Sequence, residues 1–184
     1  MNKILLILVA IAGLHGIVHS QSRFNAGIGY YGEKIKNPGV VLEFEFEKFH
    51  TNQFSLPFRG DLGYHSNPDF HAFTVDFHKG FRKYFSSGLF IEQSIGVGVI
   101  FKSFKEDTYW YTDQYFAGIP NGGTTIYGFM PSVTAGLGYN FAKEQEGADL
   151  LWIRPKIYWD LGFRGFHLPY SAIQIGYTHT FKSK

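Results

Sequence analysis

Gly39-Val40-Val41-Leu42-Glu43-Phe44-Glu45-Phe46-Glu47-Lys48-Phe49-His50 places Leu42, Phe44 and Phe46 at every second position, with Glu43, Glu45 and Glu47 between them. Side chains alternate across an extended chain, so this stretch is a β-strand with one apolar face and one acidic face. On a helix the two sets would be mixed around the circumference. A strand with two such different faces separates two environments, and deciding which face meets which is the central problem of the chain.

Working outward from these residues, the same period of two appears eight times between Phe24 and Phe181, and short turns separate most of the repeats. The first strand runs from Phe24 to about Gly32. In the third, Leu56, Phe58, Leu62 and Tyr64 oppose Arg59, Asp61 and His65, and in the fourth Phe73, Val75, Phe77 and Phe81 oppose Thr74, Asp76, His78 and Arg82. The fifth sets Leu89, Ile91, Ile95, Val97, Val99 and Phe101 against Glu92, Ser94, Gly96 and Gly98. After a long connection, about Lys102 to Thr124, the sixth sets Val133, Ala135, Leu137, Tyr139 and Phe141 against Ser132, Thr134, Gly136, Gly138 and Asn140. Ile153, Ile157, Trp159, Leu161 and Phe163 oppose Arg154, Lys156, Tyr158 and Asp160 in the seventh. In the last, Ile173, Ile175, Tyr177 and Phe181 oppose Gln174, Gly176, Thr178 and Thr180. Eight consecutive strands predict an all-β, eight-stranded antiparallel up-and-down barrel.

Composition narrows the class. Met1-Asn2-Lys3, an apolar run from Ile4 and small residues ending at Ser20 form an export signal, leaving residues 21–184 as one barrel domain. Seventeen Lys and Arg, one of them Lys3, stand against fifteen Asp and Glu, so nucleic-acid binding is disfavoured. Cysteine is absent, which removes disulfides and thiolate chemistry and leaves hydrogen-bonded closure to hold an exported chain together.

A soluble carrier turns its apolar face inward and a membrane barrel turns it outward. The polar set favours the second case. Glu43, Glu45, Glu47, Asp61, Asp76, Glu92 and Asp160 are interleaved with Arg59, Arg82, Arg154, Lys156 and His78, a mixture that can pair in a narrow, glycine-rich lumen. The apolar set is bulky on every strand and would overfill an eight-stranded interior. Strands of ten to thirteen residues, tilted by roughly 40°, match an apolar band of about 25 Å. With the N-terminus in the periplasm, residues 102–124 form the third outer loop, and the outward-facing Lys48 and Lys79 fall toward the periplasmic rim, where they can snorkel.

Taken over the mature chain, this pattern resembles the small eight-stranded outer-membrane proteins of Gram-negative bacteria, the OmpA-barrel and OmpX-like group. Ile173, Ile175, Tyr177 and Phe181 look like that group's C-terminal assembly signal, with His179 and the extension Lys182-Ser183-Lys184 as departures from it. The aromatic content and the start at Gln21 are similar to proteins of Bacteroidota. The resemblance implies outer-membrane location and contact with outer-membrane lipid and with the barrel-insertion machinery; no cofactor is expected, and the sequence has no His-Glu-x-x-His motif or spaced His cluster to hold a metal. It also implies a structural or adhesive role through the outer loops, without enzymatic activity. Phe104, Tyr109, Trp110, Tyr111, Tyr115 and Phe116, beside Lys105, Glu106, Asp107 and Asp113, form a candidate outer surface for an extracellular glycan or protein. Strand extension with aromatics packed on one another accounts for the same residues.

Two motifs point elsewhere. Gly27-Ile28-Gly29-Tyr30-Tyr31-Gly32 has dinucleotide-fingerprint spacing, yet no helix follows to receive phosphates. His65-Ser66-Asn67 resembles the His-x-Ser-Asn segment of lipid A deacylases with the intervening residue missing, so adjacent side chains diverge. A lipid-modifying enzyme and an exported lipocalin-like carrier are therefore the alternatives. Asp76 and His78 share one face, where ion pairing competes with a catalytic pairing, and Glu43, Glu45 and Glu47 present the same choice between a cation and lumenal arginines.

Overall fold

A computed structural model describes residues 22–33, 37–51, 53–105, 125–141, 149–162 and 167–181. The segment expected to be an export signal, residues 1–20, and Tyr109, Trp110, Tyr111, Tyr115 and Phe116 lie outside the described residues, as does Phe163. The elements are β1 (Ser22–Glu33), β2 (Asn37–Phe49), β3 (Phe54–Ser66), β4 (Phe70–Tyr84), β5 (Leu89–Phe104), β6 (Thr125–Phe129), β7 (Ser132–Asn140), β8 (Leu150–Gly162) and β9 (His167–Phe181), with no helix among the described residues. Every neighbouring pair is antiparallel, and the pairing of β9 with β1 closes the sheet.

The circuit has eight strands because β6 and β7 are two halves of one. Both pair with β5 in the same register, Val99 opposite Phe129 and Ile95 opposite Val133. Pro131 has no N–H to donate and interrupts the assignment. The ladder nevertheless continues past it, with Met130 N donating to Gly98 O (2.8 Å) and Trp159 N to Pro131 O (3.0 Å). The fingerprint-like glycines lie within β1, in a strand.

Register sets the tilt. From Ser22, the pairing passes through Lys48 and Leu56 on around the wall to Ile173, which faces Gly32 on β1. A stagger of about ten residues over eight strands corresponds to a tilt of roughly 40°. Strands of 12 to 16 residues then rise roughly 30 Å or more, sufficient for an apolar band of about 25 Å.

The wall has the polarity of a membrane barrel. Outward residues are apolar on every strand, with Ile95 71% exposed and Ile28 59%. Glu43, Glu45, Glu47, Arg59, Asp61, Asp76, His78, Arg82, Glu92, Arg154 and Lys156 are buried inside, while Asp160 is partly buried near the mouth. Small residues make the lumen possible. A Cβ on Gly176 would lie 2.4 Å from Trp152 Cζ2, and one on Gly29 would lie 3.0 Å from Trp152 Cη2, so the indole occupies space that two glycines leave open.

The lumen is layered. At the end carrying both termini, Phe49, Tyr84 and Phe90 form an aromatic floor, with ring centroids 5.9 Å (Phe49–Tyr84) and 5.6 Å (Tyr84–Phe90) apart. Charged residues fill the middle. Toward the opposite end, Tyr31, Tyr158, Tyr170, Phe70, Phe104 and Met130 form an upper layer. Phe104, expected in an outer binding surface, belongs to this layer. It is 7% exposed and packs edge-on against Phe70 at 5.5 Å, because β5 runs three residues beyond Phe101 and keeps even-numbered positions inward.

Candidate functional site

Arg82, on β4, is the hub of the middle layer. Its Nη2 donates to Glu45 Oε2 at 2.7 Å, its Nη1 to Glu45 Oε1 at 2.9 Å and Glu47 Oε1 at 3.1 Å, and its Nε to Glu92 Oε2 at 2.8 Å. Ser55 Oγ (2.5 Å) and the Tyr84 hydroxyl (2.8 Å) also donate to Glu47, while Asn25 Nδ2 donates to Glu45 (2.9 Å). One guanidinium thus satisfies carboxylates from two other strands in the bidentate geometry that Arg supplies and Lys does not.

Arg154 on β8 bridges Glu43 and Glu92 across the lumen, its guanidinium 3.8 Å above the Trp152 ring. The indole Nε1 donates to Thr178 Oγ1 (2.7 Å), and that hydroxyl donates to Glu43 (3.0 Å). Arg59 lies among Asp61 (3.1 Å), Glu92 (3.4 Å) and Glu43 (3.8 Å). The three alternating glutamates therefore meet arginines from three strands: Arg59 on the adjacent β3, Arg82 on β4 and, across the lumen, Arg154 on β8.

Asp61 and Asp76 are directly opposed across β3 and β4. With His78, which hydrogen-bonds to Asp76, they bring potential metal ligands within 4.8 Å of one another. Lys156 Nζ donates to Asp76 Oδ1 at 2.8 Å, and Arg59 faces Asp61, so cationic side chains already neutralise both carboxylates. The cluster is an extension of the ion-pair network.

A second polar group lies nearer the mouth; the sequence pattern places His65, Tyr158 and Asp160 on the polar face, but it leaves Glu33, Asn37 and Lys102 in connections. Glu33 accepts from Tyr158 (2.8 Å) and Asn37 (3.2 Å) and sits 3.3 Å from His65 Nε2, whose ring stacks on Tyr31 at 5.2 Å. Lys102 pairs with Asp160 at 2.5 Å, its ammonium over the rings of Tyr170 (4.7 Å) and Phe70 (5.0 Å).

His65 and Ser66 diverge. His65 is buried in the lumen, and Ser66 occupies an outward position opposite His71 on β4. His71 Nδ1 shares a hydrogen bond with the Tyr64 hydroxyl at 2.8 Å, so Ser66, His71 and Tyr64 stand together on the outer wall near its upper edge. Register alone creates this neighbourhood.

His179 faces outward at the terminal rim, 2.8 Å from Asp149 and edge-on to Phe181. Hydrogen bonds from Tyr177 and His179 hold the Asp149 carboxyl below its usual range. The polar residue within the assembly-signal pattern therefore has a rim partner.

No family profile and no curated protein matches the chain. Among solved structures, Neisserial surface protein A superposes with a TM-score of 0.53 at 8% identity, over 92% of this chain and 100% of that one. The N-terminal β-barrel domain of Pseudomonas aeruginosa OprF gives 0.47 at 12% identity, over 88% and 100%. The outer membrane enzyme PagL gives 0.44 at 15% identity, over 85% and 97%. The chain has the fold of Neisserial surface protein A, a closed β-barrel, and its outer wall is apolar as a membrane-spanning barrel requires. At these identities the likeness concerns the fold.

Proposed function

We propose that the protein is a non-enzymatic outer-membrane barrel with a filled lumen, whose loop-bearing end is its interaction surface. The longest connection, residues 105–124, is at the end opposite the termini, and such barrels carry their long loops outside. That orientation places the termini in the periplasm. The observation that carries the reading is the ion-paired middle layer. Arg82, Arg154 and Arg59 cross-link the walls between two aromatic layers, so a ligand is met at the rims and not inside.

Replacing residues 106–124 with a short Gly-Ser turn is expected to leave a barrel that still shifts on heating in a gel, while cells displaying it lose binding to a glycan array. Retained glycan binding by the shortened barrel would contradict the role given to this loop. The Ser66–His71–Tyr64 group favours a second reading, lipid-ester chemistry at the outer leaflet, since a hydroxyl, an imidazole and an orienting partner are its minimal parts. Under the first reading, Ser66→Ala leaves the acylation of extracted lipid unchanged; a loss of deacylation would establish the second.

A further inference from the structure

All described strand positions facing outward are free of Asp and Glu, whereas Lys48, Lys79 and Lys83 all lie outward. The three are neighbours. Across β3, Lys48 faces Leu56, Lys79 faces Phe58 and Lys83 faces Phe54, which gathers them on one side of the wall toward the terminal end. None has a carboxylate within ion-pair distance among the described residues. Lys83 instead lies over the rings of Phe54 and Phe85, 5.4 Å from each.

Lys48 and Lys83 each lie one residue from the end of their strand, but Lys79 sits five residues in. At about 3.3 Å per residue and a tilt of roughly 40°, that is about 12 Å above the end of β4. An ammonium at that depth is costly unless its stem reaches toward the interface or an anion comes to it.

The wall beside Lys79 is grooved on both sides. Toward β8, a groove of about 520 Å³ is bounded by Phe81, Ile95, Val133, Ala135, Pro155 and Ile157. Toward β1, a second of about 290 Å³ lies over Gly60 between Phe44, Phe58 and Phe77. A Cβ on Gly60 would meet only the Phe77 ring, at 3.4 Å, so the missing side chain leaves an open trough.

We propose that this face is a binding site for an anionic phospholipid, with its phosphate held by Lys48, Lys79 and Lys83 and its acyl chains lying in the two grooves. Charge selects the occupant. Three cations without an acid attract a phosphate that carries no compensating ammonium, and a zwitterionic headgroup would bring that ammonium toward them. A second copy of this chain would present the same three lysines, and its outward strand positions would offer no acid to meet them. Orientation assigns the lipid to the periplasmic leaflet, but binding itself does not depend on that assignment.

The test is native mass spectrometry of the full mature chain in detergent, with dioleoyl phosphatidylglycerol or dioleoyl phosphatidylcholine added at equal concentration. Each surface lysine contributes about fivefold in attraction to anionic lipid, so with three lysines phosphatidylglycerol adducts should exceed phosphatidylcholine adducts by at least that factor. The triple variant Lys48→Gln, Lys79→Gln, Lys83→Gln should equalise the two lipids, and the triple Arg variant should restore the preference. Equal retention by the native chain, an unchanged preference in the Gln variant, or dimers formed without lipid would each overturn the proposal. Should the Gln variant fail to show the heat shift of a folded barrel, a salt titration of the native chain decides. The preference should fall between about 0.05 and 0.5 M salt as screening shortens, and a preference indifferent to salt overturns the proposal.

Discussion

Arg82→Met is expected to lower the unfolding free energy of the refolded barrel by about 3–5 kcal/mol, the usual cost of stranding buried partners of an ion pair. Glu45 accepts two bonds from this guanidinium and Glu47 one, and both carboxylates are fully buried. Glu92 loses a partner too, but retains Arg154 and Arg59. The loss should therefore be concentrated on the β2 glutamates. Adding Glu45→Gln and Glu47→Gln to the same chain should recover much of it, because removing both sides of a buried pair costs far less than removing one. Urea titration in detergent micelles measures both variants. A change below about 1 kcal/mol for Arg82→Met would show that the network is solvated and that the lumen is more open than described.

Ile175→Arg should cost about 2–4 kcal/mol, the penalty for a cation on the lipid face near the bilayer centre. Ile175 faces outward near the middle of β9, between Tyr30 of β1 and Ile153 of β8. Gln174, its chain neighbour, points into the lumen and is 1% exposed. An aqueous exterior would make the arginine nearly neutral, so refolding into lipid vesicles followed by urea titration separates the two environments. The penalty should shrink for the same substitution at His179, close to the rim, where the band ends.

These two substitutions mark how far the sequence could be read. Alternation in β2 was legible because phenylalanine and glutamate differ so sharply, and it placed Glu43, Glu45 and Glu47 on the face opposite Phe44 and Phe46. Their partners were legible only as a set of arginines, since which guanidinium reaches which carboxylate depends on stagger around the closed wall. Aromatic residues in the lumen were harder to find. Trp152 and Phe90 interrupt the rule that bulky side chains face out, and they fit inside because Gly29, Gly138 and Gly176 leave room on neighbouring strands. Phe104 carried a usable signal. It shares the parity of Phe90 and Glu92, so extending β5 by three residues would have turned it inward. The meeting of Ser66 with His71 needed cross-strand register, which a single chain's pattern does not contain.

Odd-numbered positions of β5 meet lipid and even-numbered positions meet the lumen. The chain has no cysteine, so single cysteines can be placed from Ile91 to Ile100, spin-labelled and reconstituted into vesicles. Collision with oxygen dissolved in the bilayer should peak at positions 91, 93, 95, 97 and 99 and fall at the residues between. The opposite phase would make the apolar face an interior one and the polar face the outer wall.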